Sequence, residues 1–536
     1  MTAKVTRRPV PRHRARSSRR RRFSIADEEN CYIDSPSEPN NVHLEAWVPG
    51  HLSAQRLRAA VAGVLAESPP VRVRRAGGTR WRARYAWESP PEADVDAVSV
   101  VGWRTDDELT RARATFLSVA PELTRCPPFR LLLARGPEWD SLILNAHHAA
   151  FVGRSCVRLL SLIADRYSGR PAGARVPGTV QPDARQPNAR PLHSAVRAGA
   201  VRAGAVRAGH GAAGQARSVT AIRRAGLPAR IAAQYDNRRQ AAAPGYGLSL
   251  LEWPAVPSRP GGDASGQPVT VNDLLIAALA VAVAQWNSAR QQPSRQVRIS
   301  MPIDARGPGQ RDEFGNLSRL ATIMVNPGQP ADPTNVVASQ TRRAKEASDT
   351  LVNPLQAAVA VTPLPVPVKQ SVSRLALRSL GRVTCDTTLL SNLGNLAEVP
   401  AFGDLVPTSV WFSTSAHMPR GLSVGAVSVG GRLHLCFRYR TALLDERAGN
   451  AFAAEFARAL AALSPPPDPS VLDPSLEPSP LGSSPLGSSP LGSSPLGSSP
   501  RGSSPRADFA ALPAVSPSAD DTVGWWAEQP AGRTSR

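Results

Sequence analysis

Leu142-Ile143-Leu144-Asn145-Ala146-His147-His148-Ala149-Ala150-Phe151-Val152-Gly153 is the stretch from which the chain is best read outward. The apolar run Leu142–Ala146 reads as a buried strand, and it ends on two adjacent histidines. A turn of small residues follows, closed by Gly153. A helix is expected from near Ser155, with Leu159, Leu160, Leu162 and Ile163 on its apolar face. A histidine at a strand end is held rigidly and still reaches a turn mouth. General-base work needs both properties, and an ordinary imidazole titrates near pH 6.5. A histidine pair also arises when one ring is core and the other is surface, so the flanking elements must decide.

Those elements alternate. Asn41–Val48 has strand periodicity, and Ser53 then caps a helix with Leu57, Val61, Val64 and Leu65 on one face. After Ser68-Pro69-Pro70, Val71–Arg74 alternates as a strand, and a helix is expected over about Asp106–Val119. Phe129–Ala134 and Leu142–Ala146 are strands joined by a turn at Gly136-Pro137-Glu138. Further on, Thr270-Val271-Asn272-Asp273 caps a helix through Trp286. Strands are expected at Val297–Ile303, Ala321–Val325, Thr387–Ser391, Val410–Ser415, Leu422–Val429 and Leu433–Tyr439. Gly430-Gly431 makes a hairpin between the last two. A closing helix over about Asp445–Leu463 turns Phe452, Phe456, Leu460 and Leu463 to the core.

Between and around these elements the composition changes. Residues 1–22 hold nine arginines and Lys4, an expected disordered basic arm. Periodicity is lost from Ser168 to Arg217, where Val-Arg-Ala-Gly-Ala recurs at Val196 and Val201 and imperfectly at Val206; a low-complexity linker is expected over 181–217. A Ser-Pro-Leu-Gly-Ser unit recurs from Ser479, and a disordered Pro/Ser/Gly-rich tail is expected over 465–536. Trp525-Trp526 in that tail is either a short docking motif or a chance pair. The ordered segments are then 23–180 and 218–464.

The totals narrow the function classes. The net charge of +22 is almost all arginine, for the chain has three lysines, Lys4, Lys345 and Lys369. An arginine bias of this kind follows coding composition as readily as a partner, so charge alone is weak support for nucleic acid, which is not expected as the ligand. The five cysteines are scattered, with no metal-ligand spacing, and no metal site is expected. Free thiols and the lack of an apolar run behind the basic N-terminus suit a cytoplasmic location. The longest apolar run, Leu274–Val283, is short of the roughly 18 residues of a membrane span, so no span is expected.

With the opening strand and helix of Asn41–Leu65, His147-His148-xxx-Val152-Gly153, Thr270–Leu275, Gly315-Asn316 and Ser391-Asn392-Leu393-Gly394 in this order, the chain resembles the condensation-domain superfamily of acyltransferases. That group includes nonribosomal peptide synthetase condensation domains, chloramphenicol acetyltransferase-like enzymes and wax-ester/diacylglycerol acyltransferases. The resemblance covers roughly 23–463. It implies an α/β (α+β) fold of two αβ sandwich subdomains forming a V-shaped pseudo-dimer, with the histidine loop at the seam. It also implies an acyltransferase with no bound cofactor. Acyl-CoA or an acyl-phosphopantetheine carrier protein would be co-substrate, and a small-molecule hydroxyl or amine the acceptor, in specialised-metabolite or lipid biosynthesis. An acyl or peptidyl carrier protein is then a partner.

The resemblance assigns roles residue by residue. His148 matches the general base, His147 the supporting histidine and Gly153 the motif glycine, expected to let a donor arm pass. Ser391, Asn392 and Asn316 are expected to bind substrate. The motif HHxxxDG has aspartate where this chain has Val152. In the family that aspartate pairs with an arginine, matched by Arg306 of Pro302-Ile303-Asp304-Ala305-Arg306. With Val152 the pair cannot form, and Asp304 or Asp312 must serve instead, or Arg306 must turn to solvent. The alternative function is therefore a catalytically degenerate protein that binds carrier proteins or recruits partner enzymes.

Overall fold

The computed structural model describes residues 20–79, 81–170, 227–234, 245–254, 268–292, 295–306, 314–327, 332–346, 359 and 362–464. Residues 1–19, the expected linker 181–217, Asp312 and the tail with Trp525-Trp526 lie outside them. The fold is α+β, as the resemblance implies, and the described strands form three sheets.

The first large sheet is built around β2 (Asn41–Pro49), which lies antiparallel to β7 (Trp139–His147) on one side and to β12 (Ser409–Thr414) on the other. β6 (Phe129–Arg135) and β5 (Val98–Gly102) complete the order β12-β2-β7-β6-β5. β12 comes late in the chain, so the segment expected as the second subdomain lends a strand to the sheet of the first. Alternation sorts β2 into two faces. Val42, Leu44, Ala46 and Val48 join a core with Leu57 and Val61 of α2 (Ala54–Glu67) and Leu159 and Ile163 of α4 (Gly153–Tyr167). The opposite face carries Asn41, His43 and Glu45, all fully buried. A polar face that sees no water needs internal partners, and it has them: α3 (Asp106–Leu117) and β12 supply Arg113 and Ser413.

The second large sheet has the order β10-β9-β11-β13-β14-β8. Its strands are β8 (Tyr246–Pro254), β9 (Val297–Asp304), β10 (Ser318–Val325), β11 (Thr388–Asn395), β13 (Leu422–Val429) and β14 (Arg432–Arg440). Its core packs against α5 (Val271–Ser288) and α8 (Glu446–Leu463). α5 is held open at its start by a capping box in which Thr270 and Asp273 bond reciprocally. At 18 residues it is long and apolar enough to cross a membrane, yet 67% of it is buried within the protein, which is how a core helix passes the same test. The sheets meet where Gly425 of β13 crosses β12. A Cβ there would stand 1.9 Å from the Phe412 carbonyl oxygen, so only glycine allows this approach.

Several elements differ from the sequence expectation. Arg20–Arg22, expected in the basic arm, form β1, paired with β4 (Ala86–Glu88). The physical reason is Phe23, whose ring stacks on Trp87 at 4.1 Å and anchors the chain beside it. Val71–Arg74 is mostly turn after the two prolines, and only Arg74–Arg75 pair, as β3. The helices α1 (Ile25–Ile33), α6 (Pro333–Glu346) and α7 (Val366–Thr384), and strand β8, were not expected.

Candidate active site

The hydrogen-bonded register of β7 carries His147 to the end of the sheet, opposite Asn41. Its carbonyl accepts from the amides of Ala150 (2.9 Å) and Phe151 (3.0 Å), which closes the turn. The ring is buried: Nδ1 accepts from the Ala149 amide at 3.1 Å, so Nε2 carries the proton and faces the Asp34 carboxylate at 3.6 Å. Burial pushes the Asp34 carboxyl up, but His147 and the Asn40 amide outweigh it and hold the group below its ordinary value. His147 is thus a support, hydrogen-bonded at Nδ1 and facing a carboxylate at Nε2.

His148 is different. Its amide donates to the Asn40 carbonyl at 2.9 Å. Asn40 is itself fixed, accepting from the Ser415 hydroxyl at 2.7 Å and donating to the Asn30 carbonyl at 2.8 Å. The backbone of His148 is therefore clamped, while its Nδ1 is buried with no hydrogen-bond partner. Burial pushes its pKa down to about 4, and the charge of Arg438 pushes the same way. The ring is neutral at neutral pH, the form a general base must have.

Two residues the sequence reading missed complete the surroundings. His417 follows β12, and neither of its ring nitrogens has a partner. Burial pushes its pKa down to about 3; Arg420, Arg438 and His148 add to this and Asp34 opposes it. Arg438 of β14 is fully buried, stacked over the Tyr246 ring at 4.0 Å, with Nη2 donating to the Asn41 side chain at 2.6 Å. Among the described residues it bonds to carbonyl and amide oxygens, not to a carboxylate, and burial pulls its pKa down to about 10. An uncompensated buried cation near two neutral histidines favours negative charge developing beside them. Neither residue carried a local motif. Only the strand alternation of β14 placed Arg438 inward, where a charged residue would have been a signal.

A cavity of about 370 Å³ is lined by Ile33, Ser35, Glu38, Arg374, Arg378 and Met418. It lies between α1, α7 and the turn after β12; the chain neighbours of Asp34 and His417 line it, but Asp34, His417, His148 and Arg438 do not.

The other expected residues are spread around the loop. Arg306 is 2% exposed and does not turn to solvent. It donates to Asp304 at 3.1 Å, to the Gly315 carbonyl at 2.7 Å and to the Ser155 hydroxyl at 3.4 Å. Asp304 also pairs with Arg154 at 3.1 Å, so it replaces the motif aspartate as the acceptor that ties the start of α4 to β9. Val152 is the N-cap of α4, makes no side-chain cap and is 7% exposed. Gly153 does not border open space. A Cβ there would stand 2.7 Å from Leu393 and from Phe412, so its role is close packing against β11 and β12 rather than passage of a ligand arm. Asn392 accepts from the Gly394 amide at 2.8 Å and Asn316 from the Ser318 hydroxyl at 3.1 Å. Each holds its own turn. Ser391 is buried in β11 opposite Gly425. No described hydrogen bond joins these three to the histidines.

No family model matches the chain. It is 31% identical over 443 residues to the uncharacterized protein Rv2305 of Mycobacterium tuberculosis, covering 81% of this chain and 97% of the relative. Solved structures share its fold at low identity. The wax ester synthase/diacylglycerol acyltransferase from Marinobacter aquaeolei VT8 is 12% identical with a TM-score of 0.51, over 83% of this chain and 98% of that one. The EpoB cyclization-docking bidomain from Sorangium cellulosum is 14% identical with a TM-score of 0.52, over 84% and 85%. The starter condensation domain of rhizomide synthetase RzmA, a mutant in complex with C8-CoA and Leu-SNAC, is 14% identical with a TM-score of 0.50, over 82% and 92%. The chain thus belongs to the family of the mycobacterial protein Rv2305 and carries the fold of the condensation-domain acyltransferase superfamily.

Proposed function

We propose that this protein is an acyltransferase that moves an acyl group from a CoA or carrier-protein thioester to a small-molecule hydroxyl or amine. The observation that carries the reading is His148: a clamped backbone, a neutral ring and a buried Nδ1 without a partner. Leaving a buried polar atom unpaired costs about 1–3 kcal/mol, and no internal bond holds this ring, which keeps part of its surface exposed. In the reaction the His148 ring takes the acceptor proton as the nucleophile attacks the thioester carbonyl. The tetrahedral oxyanion forms within the field of Arg438, the carbon–sulfur bond breaks, and the proton passes from the imidazolium to the leaving thiolate. His147, held by Asp34 and the Ala149 amide, positions the loop. No metal or bound cofactor enters these steps. The rhizomide synthetase domain in complex with an acyl-CoA supports a thioester donor, and the peptide-synthetase likenesses support a carrier protein as its bearer.

The degenerate reading rests on Val152. Against it, Arg306 has found Asp304, so the loop is tied without the motif aspartate. One experiment separates the two. Acyl-CoA and acyl-carrier thioesters are mixed with pooled alcohols and amines, and products are read by mass spectrometry for the parent protein and His148→Ala. Transfer that is lost in the variant supports the transferase. No transfer by the parent, with carrier binding intact in both forms, overturns it in favour of a binding protein.

A further inference from the structure

Of the thirteen large apolar side chains exposed among the described residues, five lie on α7 and a sixth, Leu364, just before its start. Val368, Val372, Leu375 and Val383 fall on the helix face opposite the one that buries Val366 and Gly381, while exposed Leu380 lies on the side of Val366 and Lys369. Trp81, the most exposed of all at 79%, belongs to the same surface. Its loop is strapped to α7, since the Val366 amide donates to the Arg82 carbonyl at 2.9 Å and Lys369 donates to the Ala83 carbonyl at 2.7 Å. A core-facing helix should be polar on its outer face. Among the described residues nothing covers this stripe.

Charge says what would. α7 contains Lys369, Arg374, Arg378 and Arg382 and no acidic residue. The three arginines are spaced four apart and form a row along one flank of the apolar stripe. Arg374 spends its guanidinium on the carbonyls of Tyr32 and Asp34, while Arg378 and Arg382 are exposed. An apolar stripe flanked by arginines, with a tryptophan at its rim, has the composition of a helix that lies in a membrane interface. A second copy is disfavoured, because a two-fold pairing of this face would set arginine rows against each other. The stripe is a convex row on one helix rather than a groove, which suits a lipid surface better than a protein's anchoring side chain.

We infer that α7 and the Trp81 loop dock the protein on an anionic lipid surface. The apolar stripe enters the headgroup boundary and the arginines meet phosphates. Because α7 also lines the cavity of about 370 Å³, docking would set that opening close to the lipid. The inference does not depend on turnover.

The test uses the full chain and co-sedimentation with vesicles of phosphatidylcholine alone and of phosphatidylcholine with one third phosphatidylglycerol. Binding is expected to the anionic vesicles and not to the neutral ones. The arginine-rich N-terminus could bind acidic lipid on its own, so the variants carry the decision. Val372→Glu/Leu375→Glu should weaken binding roughly tenfold or more, since each charge near an anionic surface counts for about a factor of five. Leu375→Ser, which adds no charge, should weaken it less, and so should Trp81→Ala. Circular dichroism should show both forms folded; if the double variant is not, Leu375→Ser and Trp81→Ala decide. Binding that is absent in the parent, or unchanged in the variants, overturns the inference. So does a dimer of the parent that Leu375→Ser dissociates, which would give the face to a second copy.

Discussion

Two histidines, one on β2 and one just past the end of the neighbouring β7, behave in opposite ways. His43, on the polar face of β2, is bonded at both nitrogens: Nδ1 to Ser413 at 3.1 Å and Nε2 to Glu45 at 3.1 Å. Glu45 in turn takes a bidentate pair from Arg113 at 2.6 and 2.7 Å, the Trp47 indole at 2.7 Å and the Ser141 hydroxyl at 2.8 Å. The Ser–His–Glu order is that of a nucleophilic triad, but all three side chains are fully buried and every polar partner is internal. His148, at the end of the neighbouring strand, is partly exposed and leaves Nδ1 empty. A residue type and a hydrogen-bond chain do not identify a reactive group. A closed network is structure, and an unpartnered ring that keeps some exposure is a candidate place for a substrate.

The sharpest way to break this contrast is to remove one member from each side. His148→Ala is expected to lower acyl transfer by about 10²–10⁴-fold with little loss of stability, because the ring it removes satisfies nothing. Glu45→Ala should do the reverse. It leaves Arg113 buried without its carboxylate, which costs about 3–5 kcal/mol, while turnover per folded molecule stays within a few fold. Urea melts and rate measurements on both variants decide. Equal loss of stability in the two would erase the distinction between the networks.

This difference also marks what the sequence can tell. The histidine pair, the strand that bears it and most of the strands of both large sheets were legible because their apolar periodicity is strong. The Arg306 alternative was legible too, since Asp304 sits two residues away. The inward polar face of β2 was not. Asn41, His43 and Glu45 alternate with valine and leucine just as a solvent-facing row would, and only the arrival of β12, α3 and β14 from distant positions buries them. His417 and Arg438 were hidden for the same reason. α7 was missed although its apolar residues recur at helical spacing, because Pro363, Pro365 and Pro367 punctuate its start like a loop.

A smaller effect sharpens the contrast by pH. Because burial holds the His148 pKa near 4, its ring stays neutral well below the 6.5 of an ordinary imidazole. The rate should therefore hold nearly level from pH 8 down to about pH 5, where an unperturbed base would already have lost most of its activity. Stability moves in the same pH range and its sign is fixed. Unfolding frees His148 and His417 to bind protons below about pH 6.5, so the unfolded state gains protons there. Their contribution to stability is full above that value and is lost as pH falls toward the folded values of about 4 and about 3. A kcat/KM profile normalised to the folded fraction separates the two effects. An acid limb centred at pH 6–7 would mean that the ring is not in the environment described.

The smallest expected change comes from restoring the motif. Val152→Asp puts a carboxylate at an N-cap that has no side-chain bond, and such a cap stabilises a helix by about 0.5–2 kcal/mol. The site is only 7% exposed, so the desolvation of the new charge offsets part of that gain unless Arg306 turns toward it. But Arg306 already holds Asp304, the Gly315 carbonyl and Ser155, and Asp304 also holds Arg154. Taking Arg306 away would leave Asp304 with one exposed partner. The variant should therefore shift the melting temperature upward by no more than a few degrees and change acyl transfer by less than about threefold. A rise of a hundredfold would show that Asp304 is a poor substitute and that the loop of the parent protein is held out of its working position. An unchanged rate would show that this chain has moved the tie between α4 and β9 from the helix cap to the strand end and kept the histidine where it was.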